Sequence, residues 1–411
     1  MNLGRRIFLD RTDRVQRLAV PSQDLARIAD RLRRRGIDII DLSRVSNRNA
    51  IDQATSSAST SGWQPATADQ VASLREAVAH WYEHRFGVAL DPDLEITFVP
   101  NAVIGMTLLA MAFVEAGDMV LLPDPGAAFY RGAVVLSGGG VIPYHLSESN
   151  GFRPRFAALA ERLVGRTRMI VISYPHNPTT TVPDNTLFSE SVAFARKNQT
   201  LVVSDAAFSF ASDRGKKPPS FLSSSFATGV GVELAALDTN YGIAGLSLAL
   251  LCGNREAVSA VSFLAESSHW APSQGMVSTA VHLLLNGDAV LENRMERLAA
   301  SRQLITSAIT EIGWTPHGSA TTPFLWVSVP ARVGAEAFCR RMLRRTGVLM
   351  APGSDFGEGG EGFVRMTIPD DVTSAQTVCE RLHRHAKVYQ RRLPRPRVSL
   401  SERLRRSTLE E

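Results

Sequence analysis

Seven short, almost uninterrupted apolar segments constrain the fold of this chain more than any other feature. They are Glu95–Val99, Met119–Leu122, Val141–Tyr144, Met169–Ser173, Thr200–Ser204, Gly231–Ala236 and Leu246–Leu251. Strands that are apolar on both faces are typical of sheets covered on both sides. Most intervals between them are long enough for a crossover helix. The pattern therefore predicts an α/β fold with a mainly parallel sheet, whose ligand sites lie beyond the carboxyl ends of the strands.

The length and a change of pattern after Pro272 predict two domains. The 411 residues exceed one typical domain. A helix-rich stretch runs to Ile312, and strands are predicted near Phe324–Val329 and Phe363–Ile368. We predict that residues 1–50 form an N-terminal arm and part of the small domain, residues 51–295 the large domain, residues 296–390 a small α/β C-terminal domain, and residues 391–411 a basic, disordered tail.

The charged residues argue against nucleic-acid binding. The sequence has 45 basic and 40 acidic residues, with the two signs interleaved along most of the chain, whereas a nucleic-acid binder concentrates its basic residues. The only lysines are Lys197, Lys216, Lys217 and Lys387. Chemistry that depends on a lysine therefore has four candidates.

The cysteines and the N-terminal segment predict a cytoplasmic protein. Cys252, Cys339 and Cys379 are far apart, odd in number and form no CxxC pair, which argues against a disulfide framework and a structural zinc site. Met1–Arg14 is charged throughout, unlike a signal peptide. The longest uncharged run, Asn101–Val114, is shorter than the roughly 18 residues that span a bilayer. We therefore expect neither export nor membrane insertion.

Three polar residues stand at positions where strands are predicted to present ligand contacts. Asn177 precedes a proline just after a strand and forms either a structural turn or a ligand contact. Asp205 closes an apolar strand, so its carboxylate needs a cationic or donor partner, which a ligand can supply. Arg365 lies inside an otherwise apolar strand, either at an edge or as a clamp for a carboxylate.

A glycine-rich segment matches a nucleotide-binding pattern only formally. Gly357, Gly359 and Gly362 have the spacing GxGxxG. A dinucleotide fingerprint follows a strand and opens a helix, but this segment leads into the predicted strand at residue 363. We therefore do not interpret it as a dinucleotide site.

Nearly the whole chain resembles the fold type I, class I/II aminotransferases, which use pyridoxal phosphate (PLP), and especially their diaminopimelate and aspartate aminotransferase-like branch. The resemblance rests on LREAVAHWYEHRFGVALDP (Leu74–Pro92), AGDMVLLPDPGAAFYRG (Ala116–Gly132), ISYPHNPT (Ile172–Thr179), VVSDAAFS (Val202–Ser209), PSFL (Pro219–Leu222), and APGSDFG with FVRM. It implies a large domain with a seven-stranded, mainly parallel sheet, a smaller C-terminal domain, and a homodimer with active sites at the subunit interface.

The resemblance also implies roles for the three polar residues. Asn177 would meet the phenolic oxygen of the cofactor, Asp205 its pyridine nitrogen, and Arg365 the α-carboxylate of the substrate. In the family, the strand after VGVE leads into a serine-lysine-threonine-tyrosine turn whose lysine forms the Schiff base, and an arginine a few residues later binds the phosphate. Here Thr239 and Ser247 occupy those positions. A hydroxyl cannot form an imine, and a serine brings no charge to a phosphate.

Other cofactor contacts of the family also differ. The helix at the phosphate site begins Asn101-Ala102-Val103 without an obvious side-chain donor, Ala127 replaces the aromatic residue that stacks on the pyridine ring, and Phe208 replaces a tyrosine. Losing several charge-assisted bonds of about 1.5–3 kcal/mol each weakens binding by orders of magnitude. The prediction from these departures is that no PLP is bound and that no cofactor is used.

Our main hypothesis from the sequence is therefore a PLP-independent enzyme on an aminotransferase scaffold, which lacks the catalytic lysine and does acid–base chemistry (cyclisation, elimination or condensation) on an amino-acid-like carboxylate in a biosynthetic pathway. His269, Asp205 and Asp238 are its predicted catalytic residues. His269 is proposed as a general acid or base, against the alternative of a packed loop residue.

The predicted substrate contacts are Arg365, Asn177, Arg44, Trp270, Thr239 and Tyr241. Arg44 either binds a second anionic group or is simply exposed, and Tyr241 is kept in the family for packing. Two other functions stay open at this point. One is a non-catalytic pseudoenzyme or binding subunit, and the other is a PLP-dependent aminotransferase that holds its cofactor non-covalently.

Overall fold

A computed structural model describes residues 12–16, 18, 23–45, 64–161, 166–211, 216–318, 321–329 and 334–385. Its strands are β1 (Ile40–Leu42), β2 (Ile96–Val99), β3 (Asp118–Asp124), β4 (Gly140–His145), β5 (Arg166–Ser173), β6 (Leu201–Asp205), β7 (Gly231–Ala236), β8 (Ala249–Gly253), β9 (Thr315–His317), β10 (Phe324–Ser328), β11 (Val348–Pro352) and β12 (Phe363–Thr367). The predicted tail at residues 391–411 lies outside the described residues.

Helices separate most of the strands within the described ranges. They are α1 (Asp13–Gln16), α2 (Gln23–Arg34), α3 (Ala68–Phe86), α4 (Ala102–Phe113), α5 (Ala128–Ser137), α6 (Phe156–Ala160), α7 (Asn185–Asn198), α8 (Ala227–Val230), α9 (Leu237–Tyr241), α10 (Arg255–Ser267), α11 (Gln274–Asn286), α12 (Asp288–Glu311), α13 (Ala335–Thr346) and α14 (Val372–His385). None of the helices within these ranges is long and apolar enough to cross a membrane.

The larger sheet has seven strands in the order β2-β8-β7-β6-β5-β3-β4. Neighbouring strands are parallel except at β8, which is antiparallel to both β2 and β7. The predicted α/β fold with a seven-stranded, mainly parallel sheet is confirmed. Strand β8 begins later than predicted, at Ala249, because the N–H groups of Ser247 and Leu248 bond to the nearby Gly245 and Leu246 carbonyls, at 2.9 and 2.8 Å, instead of to a neighbouring strand.

The smaller sheet has five strands in the order β1-β11-β12-β10-β9. β1 comes from the N-terminal part of the chain and pairs in parallel with β11, while the other pairs are antiparallel. Helix α12 runs through the predicted domain boundary at residue 295. It buries Leu291 in the core of the large sheet, and Leu298 and Ile305 in that of the small sheet, so one rigid element joins the two.

Local sequence signals explain where the helices begin and end. Helix α3 starts with a capping box, in which the Thr67 side chain accepts from Gln70 N and the Gln70 side chain accepts from Thr67 N. It ends at Gly87, whose φ of 67° suits the left-handed position after a helix. Its apolar face buries Trp81 and Tyr82. Such signals set the ends of the helices. The buried apolar faces of these helices pack against the sheet.

Candidate active site

The carboxyl ends of three adjacent strands bring the predicted site residues together. In the register of β5 and β6, Ser173 pairs with Asp205, and in that of β6 and β7, Asp205 pairs with Leu234. Asn177 follows the end of β5, and Thr239 follows the end of β7 on α9. Parallel strands end at one edge of a sheet, so Asn177, Asp205 and Thr239 share that edge.

Asp205 is a buried carboxylate with two donors. Tyr130 Oη donates to Asp205 Oδ2 at 2.5 Å, and Ala207 N donates to Oδ1 at 3.1 Å. Burial raises the pKa of Asp205, and these two bonds oppose the rise. Burial also raises the pKa of Tyr130 well above its ordinary value, next to the charge of Asp205. Asp205 is thus a carboxylate that accepts from a neutral tyrosine. A cationic ligand beside the carboxylate would offset the free-energy cost of burying its charge.

Arg365 on β12 joins the small sheet to this edge of the large sheet. Its Nη1 donates to Asn177 Oδ1 at 2.9 Å, and its Nη2 donates to the Ser43 carbonyl at 2.8 Å. The residue is buried, and desolvation lowers the pKa of its guanidinium to about 10, with Asp355 opposing the fall. The side chain therefore stays a cation at neutral pH, which suits a carboxylate.

Two aromatic rings enclose the guanidinium. The Cζ atom of Arg365 lies 5.2 Å from the ring centre of Phe324 and 4.9 Å from that of Phe356. Phe208 packs edge-on against Phe324 with ring centres 5.1 Å apart. Phe208, which stands where the family has a tyrosine that contacts the cofactor, therefore packs against one of the two rings beside Arg365.

The α9 turn carries Thr239 in place of the family's lysine. Asp238 Oδ1 accepts from Thr239 N at 2.7 Å and from Thr239 Oγ1 at 3.1 Å. Asn240 fastens the turn to the segment that follows β6, because its Nδ2 donates to the Ala206 carbonyl at 3.0 Å and its Oδ1 accepts from Phe210 N at 3.0 Å. The turn is therefore rigid although its lysine is replaced.

Arg294 of α12 stabilises the α9 turn through hydrogen bonds to its backbone. Its Nη1 donates to the carbonyls of Thr239 and Asn240, both at 2.8 Å. The guanidinium is buried, and desolvation lowers its pKa. Sequence reasoning did not single out Tyr130, Asn240 or Arg294, because each acts through a partner distant along the chain.

The N-terminus of α4 forms the neighbouring wall. The Asn101 side chain caps the helix by accepting from Ile104 N at 2.9 Å, which leaves the first backbone N–H groups of the helix for an anion. Ser247 is half-buried beside it, and its hydroxyl donates to the Pro100 carbonyl at 2.9 Å. The site thus offers an anion backbone donors, whereas the hydrogen of the Ser247 hydroxyl is already donated to Pro100.

No lysine of the described ranges lies on α9. Lys197 is exposed on α7, and Lys216 and Lys217 are exposed in the segment before a short 3-10 helix, Phe221–Ser223. Lys217 borders a small cavity with His80 and His84 of α3. Lys387 lies outside the described residues.

The other predicted site residues have varied surroundings. Arg44 is exposed and borders a cavity of about 350 Å³ together with Asp355. Tyr241 is buried and its hydroxyl donates to the Leu283 carbonyl at 2.9 Å. His269 is exposed with a φ of 55°, and its N–H donates to the Glu266 carbonyl at 2.9 Å. Trp270 is half-buried against the large core. Their predicted roles stay predictions.

The residues at this edge fit the ring of PLP but not a covalent link to it. Asp205 is a buried carboxylate that forms no ion pair within the described ranges. The Oδ1 atom of Asn177 already accepts from Arg365, so its Nδ2 group is the donor that faces a ligand. The N-terminus of α4 suits a phosphate. Thr239 cannot form an imine. The donor set at this edge therefore fits the ring and the phosphate of PLP.

The chain belongs to the class I and II aminotransferases, since the model of the family "Aminotransferase class I and II" matches residues 47–382. It is 34% identical to the LL-diaminopimelate aminotransferase of Desulforudis audaxviator over 310 residues, which are 75% of this chain and 79% of that protein. It is 29% identical to the enzyme of the same name from Moorella thermoacetica over 374 residues, 89% of this chain and 96% of that protein.

Solved structures share the fold. An aspartate aminotransferase double mutant from Thermus thermophilus superposes with a TM-score of 0.83 at 21% identity, over 92% of this chain and 100% of that one. Substrate-bound BacF from Bacillus subtilis gives 0.82 at 22% identity, over 92% and 98%. At these identities the likeness concerns the fold alone. A probable N-succinyldiaminopimelate aminotransferase from Thermus thermophilus gives 0.77 at 26% identity, over 87% and 99%.

The comparisons overturn the main hypothesis from the sequence. The sequence predicts a PLP-independent enzyme without a cofactor because Thr239, Ser247 and further residues replace those that bind PLP in the family. Family membership and relatives named as aminotransferases contradict that prediction, since this family uses PLP. The prediction of no cofactor is wrong, and so is the interpretation of a missing lysine as loss of PLP dependence. The alternative of a PLP-dependent aminotransferase is the better supported one.

Proposed function

We propose that this protein is a PLP-dependent aminotransferase that binds an amino acid through its α-carboxylate and holds its cofactor without a covalent bond. The observation that carries the proposal is the meeting of Arg365, Asn177 and the Asp205 strand end at one edge of the sheet. Family membership and the names of the relatives support the reaction type. The replacement of lysine by Thr239 supports non-covalent binding.

Three features of the chain would hold the cofactor. Asp205 would face the ring nitrogen, Asn177 Nδ2 the phenolic oxygen, and the N-terminus of α4 the phosphate. When bound, PLP supplies an electron sink and carries the amino group between substrates. Asp205, with Tyr130 donating behind it, would hold a proton at the ring nitrogen.

Arg365 would orient the substrate. Its guanidinium is planar, charged and fixed by Asn177, the Ser43 carbonyl and two rings. A planar guanidinium binds a carboxylate through two parallel hydrogen bonds. The same contacts exclude water from one side of the clamp, which strengthens its electrostatic attraction for the carboxylate.

For the substrate we propose an amino dicarboxylate of the diaminopimelate class. Relatives of 34% and 29% identity are named for LL-diaminopimelate. Arg44 follows Ser43, whose carbonyl contacts the clamp, and it borders a cavity of about 350 Å³. This position suits a second anionic group of the substrate.

We further propose a homodimer in which the loop with His269 and Trp270 reaches the neighbouring site. Helix α4 has no charged residue, and Ile104 and Met111, seven residues apart on one face, are 39% and 56% exposed. An apolar face of this kind suits a subunit contact. Met111→Glu should shift the sedimentation coefficient to that of a monomer, whereas Val372→Glu, at an exposed apolar position of α14, whose buried face packs in the core of the small sheet, should leave the dimer intact.

A cytoplasmic location remains part of the proposal. Its support is the unpaired state of Cys252, Cys339 and Cys379, which fits a reducing compartment.

The test of the proposed reaction is transamination by the purified full chain. The protein is incubated with and without PLP, with LL-diaminopimelate and a panel of other amino acids as donors and 2-oxoglutarate as acceptor. We expect amino-group transfer that requires PLP. After borohydride treatment, intact mass spectrometry should find no pyridoxyl group on the protein. Absence of transfer from every amino acid at saturating PLP would refute the proposed function, and a pyridoxyl group on one of the lysines would refute non-covalent binding.

A further inference from the structure

Asp124 connects the large sheet to the segment that leads into β12. It is the last residue of β3 and is 6% exposed. Its Oδ1 accepts from Gly359 N at 2.8 Å, and its Oδ2 lies 3.1 Å from His145 Nδ1. Two residues on, Gly126 N donates to the Phe356 carbonyl at 2.8 Å. Two hydrogen bonds therefore connect residues 124–126 with residues 356–359.

The fit between these two segments leaves no room for side chains. A Cβ atom at Gly357 would lie 2.2 Å from Asp124 Oδ1, and one at Gly359 would lie 2.8 Å from the Asp124 carbonyl. Gly357 also has a φ of 121°, which glycine adopts without strain. Two of the three glycines that formally resemble a nucleotide fingerprint, Gly357 and Gly359, are thus explained by close approach to Asp124, and the third, Gly362, has a positive φ of 86°.

The held segment also forms one wall of the clamp. The Phe356 ring centre is 4.9 Å from Arg365 Cζ and packs edge-on against Trp326, with ring centres 5.9 Å apart. The adjacent Asp355 raises the pKa of Arg365 against the effect of burial. The position of Phe356, and hence of the guanidinium, depends on where residues 355–359 are held.

We propose that Asp124 is a positioning residue for the carboxylate clamp. Asp124 fixes residues 356–359 and so keeps the Phe356 ring against the guanidinium of Arg365. The affinity of Arg365 for the substrate carboxylate therefore depends on the contact between β3 and the segment that leads into β12. The inference rests on the proposed function in one respect, since it takes Arg365 as the group that binds the α-carboxylate.

The experiment measures the affinity of the full chain for LL-diaminopimelate by calorimetry, without turnover. Asp124→Ala should raise the Kd about threefold to tenfold, as expected for the loss of a hydrogen bond and the resulting displacement. Asp124→Asn keeps the acceptor for Gly359 N and should restore most of the affinity. Gly357→Ala keeps the carboxylate but displaces the segment, and it should weaken binding as well.

A double-mutant cycle separates positioning from general stability. If Asp124 acts through Phe356, Asp124→Ala should change the Kd much less in a Phe356→Ala background than in the wild type. The matched control is Asp118→Ala, which removes a buried carboxylate from the other end of β3. It should lower the unfolding temperature at least as much as Asp124→Ala while leaving the Kd unchanged.

The outcomes distinguish the two proposals. If Arg365→Lys leaves the Kd unchanged, or the wild type does not bind, the proposed clamp is refuted and the positioning role falls with it. If Arg365→Lys weakens binding but Asp124→Ala does not, only the positioning role is refuted. Equal effects of Asp124→Ala with and without Phe356 would also refute it.

Discussion

Arg365 Nη1 and Asn177 Oδ1 lie 2.9 Å apart and form a hydrogen bond between the small sheet and the loop after β5. The two residues are 188 positions apart in the sequence. This bond ties the proposed substrate clamp to a proposed cofactor contact, so a change in one side chain should alter the function of the other.

Arg365→Ala should raise the KM for the amino-acid substrate about 10- to 100-fold, because it removes charge-assisted hydrogen bonds to a carboxylate. Arg365→Lys keeps the charge but not the planar fork, so it should have an intermediate effect. Steady-state kinetics over a range of substrate concentrations checks both. An unchanged KM in folded Arg365→Ala protein would contradict the clamp.

Tyr130→Phe should move the acid limb of the pH–activity profile to higher pH. The Tyr130 hydrogen bond lowers the pKa of Asp205 against the effect of burial, so its removal lets that pKa rise. Asp205 must be ionised to face a protonated ring nitrogen, and the ionised fraction would then be lost at higher pH. Tyr144→Phe is the control, because Tyr144 is equally buried but donates to the Val171 carbonyl. An unshifted limb in Tyr130→Phe would contradict the proposed role of the pair.

His176 should make the fold sensitive to acid. It is buried, and desolvation lowers its pKa from 6.5 to about 3. Below pH 6.5 the unfolded chain therefore binds a proton that the folded chain does not, so stability falls as the pH falls towards 3. Between pH 7 and pH 5 this group alone should cost about 2 kcal/mol.

Urea unfolding at pH 7 and pH 5 measures that cost. His176→Asn should lose less stability over this interval than the wild type. His282→Asn, at an exposed position of α11, should behave like the wild type. A wild-type and a His176→Asn protein with the same pH dependence would show that the histidine is not held neutral.

Thr239→Lys should convert the cofactor to covalent binding. Thr239 is half-buried on α9, whose backbone is fixed by Arg294 and Asn240, so the new amine would start from a defined position. An amine can condense with the cofactor's aldehyde, whereas a hydroxyl cannot. Borohydride treatment followed by peptide mapping should find a pyridoxyl group on residue 239 only in the variant. Its absence there would contradict the placement of the cofactor at this strand edge.

Much of the fold could be predicted from local pattern. Apolar runs such as Met169–Ser173 and Gly231–Ala236 predicted strands buried on both faces, and the structure places them in the centre of a mainly parallel sheet. Such runs carry their own signal because burial of consecutive side chains requires both faces to be covered. The start of β8 was placed three residues too early, since a run of apolar residues does not show where a turn ends.

The site was predictable in part. Asn177, Asp205 and Arg365 could be singled out because polar residues at the ends of apolar strands, or within them, are unusual. Tyr130, Arg294 and Asp124 could not, because each gains its role only from a partner brought close by the fold. The sequence also led to a wrong conclusion about the cofactor, since the replaced residues, Thr239 and Ser247 above all, were given more weight than the remaining donors.

By itself, the sequence determined which strands are buried, which residues end them, and that position 239 carries a hydroxyl instead of an amine. Only the tertiary structure decided that Arg365 meets Asn177, that Tyr130 donates to Asp205, and that Asp124 holds the segment beside the clamp. The physical reason is the separation along the chain of the residues that interact. Strand burial follows from neighbouring side chains, whereas a hydrogen bond between distant residues exists only after parallel strand ends and two sheets have been packed against one another.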